Sequence, residues 1–208
     1  MARPREFDEE AVLDAAIVCF WSRGYEATSV RDLAAEMGIT GASLYNAFGD
    51  KRSLFEKALR TYVERRLLYR IRRCEALSPR EGLAVFFTEV LEHSLTDADR
   101  KGCMLINAAA AGLHTGHDLA AFVTASLDEI ESFFRRMAAG GQQNGSICDR
   151  NSPEDIARHL LGVLIGTRVL ARARPDPALL EGIVRTALAA LDGNPQRERC
   201  VVAPAASA

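Results

Sequence analysis

Paired cysteines are missing from this sequence. The five it has (Cys19, Cys74, Cys103, Cys148 and Cys200) lie far apart and form no C-x-x-C pair, which excludes a disulfide framework and a zinc knuckle. An excess of one charge is missing too. The 26 Lys and Arg stand against 28 Asp and Glu, a net of −2, so this is not a chain that coats nucleic acid by bulk charge. A focused site on DNA stays open. No uninterrupted apolar run is long enough to cross a bilayer, and the charged first ten residues lead into no apolar signal core. The expectation is a soluble protein of a reducing, cytoplasmic compartment, with no membrane partner. Glycine-rich phosphate loops, G-x-S-x-G and His/Glu sets at metal spacing are absent as well, so neither a cofactor nor a metal is expected.

Strand-like alternation is nearly absent, and what fills its place is helical spacing. At 208 residues, 48% hydrophobic and 26% charged, the composition is that of a globular protein. Leu13, Ala16, Ile17 and Phe20 form an i, i+3, i+4, i+7 stripe that Gly24 ends. Ser29 with Asp32 makes a capping box for a short helix closed by Gly38, and Thr40 caps a third helix ending at Gly49-Asp50. A longer helix runs from Lys51 as far as Cys74. Ser78-Pro79-Arg80-Glu81 opens a helix to Leu95, and Cys103 to His114 and Asp118 to Ala139 follow. The run Gly140–Gly145 reads as a break. Ser152-Pro153 opens a helix to Arg174, and Asp176-Pro177 opens the last, ending at Gly193. The fold class is therefore all-α, about nine helices, divided as 1–50, 51–195 and a disordered tail at 196–208.

Charge is uneven along the chain. Residues 1–52 hold six Lys/Arg and nine Asp/Glu, a net of −3, whereas residues 53–78 hold seven and three, a net of +4. The fourth helix is the basic element, and a solvated face is its plain reading.

Residues 29–48 carry the functional signal. A capped helix, the turn Met37-Gly38-Ile39-Thr40 and a second capped helix make a helix-turn-helix, whose second helix is free to enter a major groove. With Leu44, Ala47 and Phe48 inward, a projection at about 100° per residue points Ala42 and Asn46 directly outward, flanked by Ser43 and Tyr45. Asn46 suits an adenine edge, Ala42 or Ser43 a thymine methyl, and Tyr45 a phosphate.

Over residues 13–55 the sequence resembles the DNA-binding domain of the TetR family of bacterial transcriptional regulators. Ala16, Phe20, Gly24, Tyr25, Thr28-Ser29-Val30, Leu33-Ala34, Gly38-Ile39-Thr40, Ser43-Leu44-Tyr45, Phe48, Lys51 and Leu54 carry the likeness. The resemblance implies a larger helical domain for effector binding and dimerisation, and a regulator, most often a repressor, that binds operator DNA as a homodimer. It implies backbone contacts from Thr28, Ser43, Tyr45 and Lys51, with Thr40, Gly41, Ala42 and Asn46 nearest the bases, and Ser29 is a further DNA-binding candidate. Gly41 stands where many relatives have a cation, and Asn46 where an aromatic residue or His is common. The lost cation implies modest affinity for non-specific DNA.

Leu161, Gly162, Ile165, Val169, Ile183, Ala187 and Leu191 lie on helices that are apolar on more than one face. They are candidates for an isologous dimer contact, beside the alternative of packing within one subunit. Effector candidates are Phe86, Asn107, His114, Phe122 and Arg168 for a small molecule, and Cys103 for an electrophile or oxidant. Cys103 follows Arg100-Lys101-Gly102 at a helix start, where two cations and the helix dipole favour thiolate. Lys101–Asn107 also resembles a branch of the family in which this Cys recurs and some members sense reactive species. Two other classes stay open: a helical protein–protein adaptor, and a thiol enzyme with Cys103 as nucleophile and His93 or His114 as base.

Overall fold

The computed structural model describes residues 8–112 and 117–192, and among them are nine helices and no strand. Helix α1 spans Glu9–Arg23, α2 Val30–Glu36 and α3 Gly41–Phe48. Helix α4 is continuous from Lys51 to Glu75, as an α-helical stretch Lys51–Tyr62, a π-helical turn Val63–Leu68 and an α-helical end Tyr69–Glu75. Then come α5 (Pro79–Thr96), α6 (Met104–Ala110), α7 (His117–Gln143), α8 (Pro153–Ala173) and α9 (Pro177–Ala189).

The caps form at α1 to α4 for the reasons the residue types give. Asp8 accepts from the Glu10 and Ala11 N–H groups, and the Ser29/Asp32 capping box is complete in both directions. Thr40 Oγ1 accepts from Ser43 N at 3.1 Å, and Asp50 Oδ1 accepts from Ser53 N at 2.7 Å. Gly38 lies at φ +65°, the left-handed conformation that lets α2 turn into α3 without a Cβ in the way.

One apolar core runs through the whole molecule, from Val12 on α1 to Leu191 beyond α9. Its centre in the C-terminal body is an aromatic cluster in which Phe86 packs on Phe87, Phe133 and Phe134 with ring centroids 5.2–5.6 Å apart. In the N-terminal bundle Phe55 of α4 meets Phe20 and Tyr25 edge-on, at 5.0 and 5.1 Å. The first half of α4 is thus built into the helix-turn-helix bundle, although the sequence division starts a new domain at residue 51.

Three local expectations are corrected. Gly140 and Gly141 do not break the chain; α7 runs through them to Gln143. At Gly141 the Ile147 side chain lies where a Cβ would be, whereas a Cβ at Gly140 would make only a tight 3.3 Å contact with Pro79 Cγ. Ser78 does not cap α5, since its hydroxyl donates to the Glu81 carboxylate instead. Helix α6 ends at Ala110, well before His114, because Gly112 takes a left-handed turn. Cys74 is fully buried, and loss of hydration raises its thiol to about 11. The tail from 196 lies outside the described residues.

The uneven charge resolves into pairs between helices. On α4, Lys57 bonds Glu9, and Arg65 bonds Glu10 and Asp14 at 2.6 and 2.8 Å, so the acidic start of the chain meets the basic helix. Arg70 and Arg73 share Glu89 of α5, both within 2.9 Å. The pairs of α4 with α1 are exposed and contribute about 0–1 kcal/mol each.

Candidate nucleic-acid interface

Helix α3 is held from behind and bare in front. Leu44 and Phe48 are buried, while Ala42, Tyr45 and Asn46 are exposed, Tyr45 by 52%. The partition follows from the sequence: a two-turn helix with one apolar flank packs one way, and the opposite flank is left to solvent. Thr40 and Gly41 open α3, and the Thr40 and Ser43 hydroxyls lie 2.9 Å apart in a shared hydrogen bond. Lys51 begins α4, with its ammonium over the Tyr25 ring at 4.2 Å. Ser29 is exposed, and its hydroxyl donates to Asp32 at 2.5 Å, which holds that carboxyl below its usual range. All of these except Thr28 stand at the surface or half-exposed. Thr28 is 1% exposed and its hydroxyl donates to Gly24 O at 2.6 Å, so its side chain braces the α1–α2 turn and is not offered to a phosphate. Sequence reasoning passed over Arg52, although two adjacent cations at a helix start are a readable signal for anion contact.

The effector candidates scatter. Phe86 is fully buried in the four-ring cluster, where Phe133 and Phe134 of α7 close over it. Phe122 is half-buried under the Arg60 guanidinium, 4.3 Å from the ring centroid. Asn107 donates to Lys101 O at 2.8 Å and lines a cleft of about 260 Å³ against Phe20, Tyr25 and Phe55. Arg168 is 8% exposed and donates to the Ser94 hydroxyl at 3.2 Å. His114 lies outside the described residues. Cys103 is half-buried at the N-cap of α6, with the Tyr62 hydroxyl donating to its sulfur at 3.7 Å. Of the two cations expected to act on it, Lys101 is held by Asp97 and Asp99 at 3.2 and 2.7 Å.

Among the dimer candidates Gly162 and Val169 are exposed and Leu161, Ile165 and Ile183 half-exposed. Ala187 and Leu191 are buried, because α9 turns that side onto its own core. An open groove of about 550 Å³ lies between α8 and α9, lined by His159, Val163, Leu179, Gly182 and Ile183 among others. Trp21 and Arg66, which the sequence reading did not single out, meet in a separate cleft beside α1, with the guanidinium 5.3 Å from the ring centroid. Trp21 stands beside the Leu13/Ala16/Ile17/Phe20 stripe, packed on the edge of the core, and the lone tryptophan there was the available sign.

A family model described as bacterial regulatory proteins, tetR family, matches residues 12–58. The chain is 32% identical over 198 residues to the HTH-type transcriptional regulator YezE of Bacillus subtilis (strain 168), which covers 92% of this chain and 100% of that protein. It is 28% identical over 187 residues to the HTH-type transcriptional repressor ComR of Escherichia coli (strain K12), covering 89% and 88%. Among solved structures, a cysteine mutant of the TetR family transcriptional regulator CifR, complexed with 26-base-pair double-strand operator DNA, matches with a TM-score of 0.81 at 32% identity. That match covers 91% of this chain and 100% of the other.

Proposed function

The chain belongs to the TetR family of bacterial regulatory proteins and is a helix-turn-helix transcriptional regulator; from that premise we propose that two copies bind an operator as a cytoplasmic homodimeric repressor and leave it when an effector binds. The observation that carries this reading is the bare outer flank of α3, where Ala42, Tyr45 and Asn46 are exposed on a helix capped at its start by Thr40. Asn46 is suited to an adenine edge and Tyr45 and Lys51 to phosphates, with Thr40, Gly41, Ala42 and Ser43 close to the DNA. The relative CifR is complexed with operator DNA. Dimerisation is supported by the uncovered α8–α9 face, from Leu161 and Gly162 through Ile165 to Val169 and Ile183. A two-fold axis there would present two α3 helices to half-sites of one palindrome.

Binding to DNA selected from a random pool, read by fluorescence anisotropy, tests the proposal. The expected outcome is a palindromic site whose affinity falls steeply with salt. Tyr45→Ala is expected to weaken it about tenfold with no change in melting temperature. A pool that yields no preferred sequence leaves the adaptor reading in its place.

A second reading of release has one observation in its favour, the half-buried Cys103 thiol at the cap of α6 under the Tyr62 hydroxyl. Oxidant-induced release that persists in Cys103→Ser would remove it.

A further inference from the structure

Between the C-terminal half of α1, the middle of α4 and helix α5 lies a cleft of about 550 Å³. It shares Trp21, Tyr62, Arg66, Arg70 and His93 with a smaller inner chamber of about 270 Å³ that reaches Lys101 and Arg168 of α8. Four cations line the inner chamber (Arg66, Arg70, Lys101 and Arg168), against the single carboxylate of Asp97. Two of the four are neutralised within the chain, Arg70 by Glu89 at 2.9 Å and Lys101 by Asp97 and Asp99. Arg66 and Arg168 have no carboxylate partner among the described residues. Arg66 leans on the Trp21 ring, and Arg168 donates only to the Ser94 hydroxyl although it is almost wholly withdrawn from water.

A guanidinium buried with one neutral partner is costly, and an anion that offers it two oxygens removes that cost. His93 shows the resulting field. Loss of hydration lowers its pKa, and Arg70, Arg168 and Arg66 push in the same direction. The outer cleft has a different character. Among its charged lining of Asp14, Arg65, Arg73 and Glu89, Val18 and Tyr69 stand 50% and 55% exposed, the Tyr69 ring with the Arg73 guanidinium 5.7 Å from its centroid.

We propose that this cleft binds a small organic anion, a carboxylate on an apolar body, with Arg168 and Arg66 gripping the carboxylate and Val18 and Tyr69 covering the apolar part. The cleft is separate from the DNA-facing surface, since Arg66 stands about 20 Å along α4 from Lys51. It deepens the reading above by naming a class of effector, and rests on that reading only for its consequence at DNA. The route to DNA is short. Ile17, Val18 and Trp21 belong to α1 of the helix-turn-helix bundle, Arg66 to the π-helical turn of α4, and Arg168 to the α8 dimer helix. An anion held by all three elements favours the arrangement in which they fit it best.

Trp21 is the only tryptophan of the chain, so its emission reports on the cleft directly. Titration of the full chain with octanoate and with phenylacetate is expected to shift that emission saturably. Octan-1-ol and inorganic phosphate, which supply one half of the ligand each, are expected to act far more weakly. Arg66→Gln and Arg168→Met are each expected to weaken octanoate binding about tenfold or more. Arg66 is exposed, so its variant keeps the test open if Arg168→Met fails to fold. A flat response to both acids, an equal response to octan-1-ol or to phosphate, or an unchanged affinity in Arg66→Gln overturns the proposal. Anisotropy of labelled operator DNA in the same titration separates the two claims. A Trp21 response with the operator still bound upholds the site and removes its role in release. Release with no Trp21 response keeps an effector but overturns this cleft as its place.

Discussion

Thr167 is wholly buried on α8, with a hydroxyl that finds no partner among the described residues. Valine keeps the branched shape and removes the hydroxyl, so Thr167→Val is expected to raise the unfolding free energy by about 1 kcal/mol, read as a higher urea midpoint. A lower midpoint would mean that the hydroxyl has a partner in solution. Single residues are also where the sequence was read best and worst. The outward set Ala42, Ser43, Tyr45 and Asn46 was legible because a short helix with one apolar flank leaves no choice of orientation. Thr28, Phe86, Ala187 and Leu191 are buried, and their surroundings were not legible for the converse reason. Whether such a residue faces solvent or the core depends on which distant helix closes over it, and spacing along one helix does not carry that.

At the scale of elements, α4 and α5 meet where Gly82 faces the Cys74 carbonyl oxygen and the Met137 methyl, both lying where a Cβ would be placed. The carbonyl is backbone and has little freedom to move. Gly82→Ala is therefore expected to cost about 2 kcal/mol or more, visible as a lowered melting temperature with the helical circular dichroism retained. Helix count and most caps were legible from Ser, Thr, Asp and Gly positions. The glycine pair in α7 misled, because glycine for close packing and glycine for a chain break are the same letter. The π-helical turn was missed, yet a trace of it is in the sequence. Leu59, Val63, Leu67 and Ile71 are buried at steps of four. Each such step overshoots an α-helical turn by about 40°, and a wider turn brings the side chains back into line.

For the whole molecule the paired carboxylates set the response to acid. Burial opposes the charge on Glu89, but Arg70 and Arg73 more than offset it. At Asp97 burial is likewise outweighed, there by Lys101, and at Asp192 the bonds from Arg80 dominate; all three sit below their ordinary values. Their stabilisation is present above the unfolded carboxylate range, about 4, and is lost as pH falls through the folded values. His93 adds to this from pH 6.5 downward, since the unfolded chain takes up that proton first. Urea midpoints are therefore expected to decline gently below 6.5 and steeply below about 4. Assembly has its own test. Val169, 48% exposed on α8, becomes Glu in a variant expected to sediment as a monomer and to lose most operator affinity. A dimer in that variant would move the interface away from α8. The π-helical turn, finally, fixes the phase between the two ends of α4. Removing one residue from 63–68 would rotate the DNA-binding head against the body by about 100°. Chimeras that exchange heads between related chains must therefore keep the residue count of that turn, whatever its letters, for the head to dock on the body as it does here.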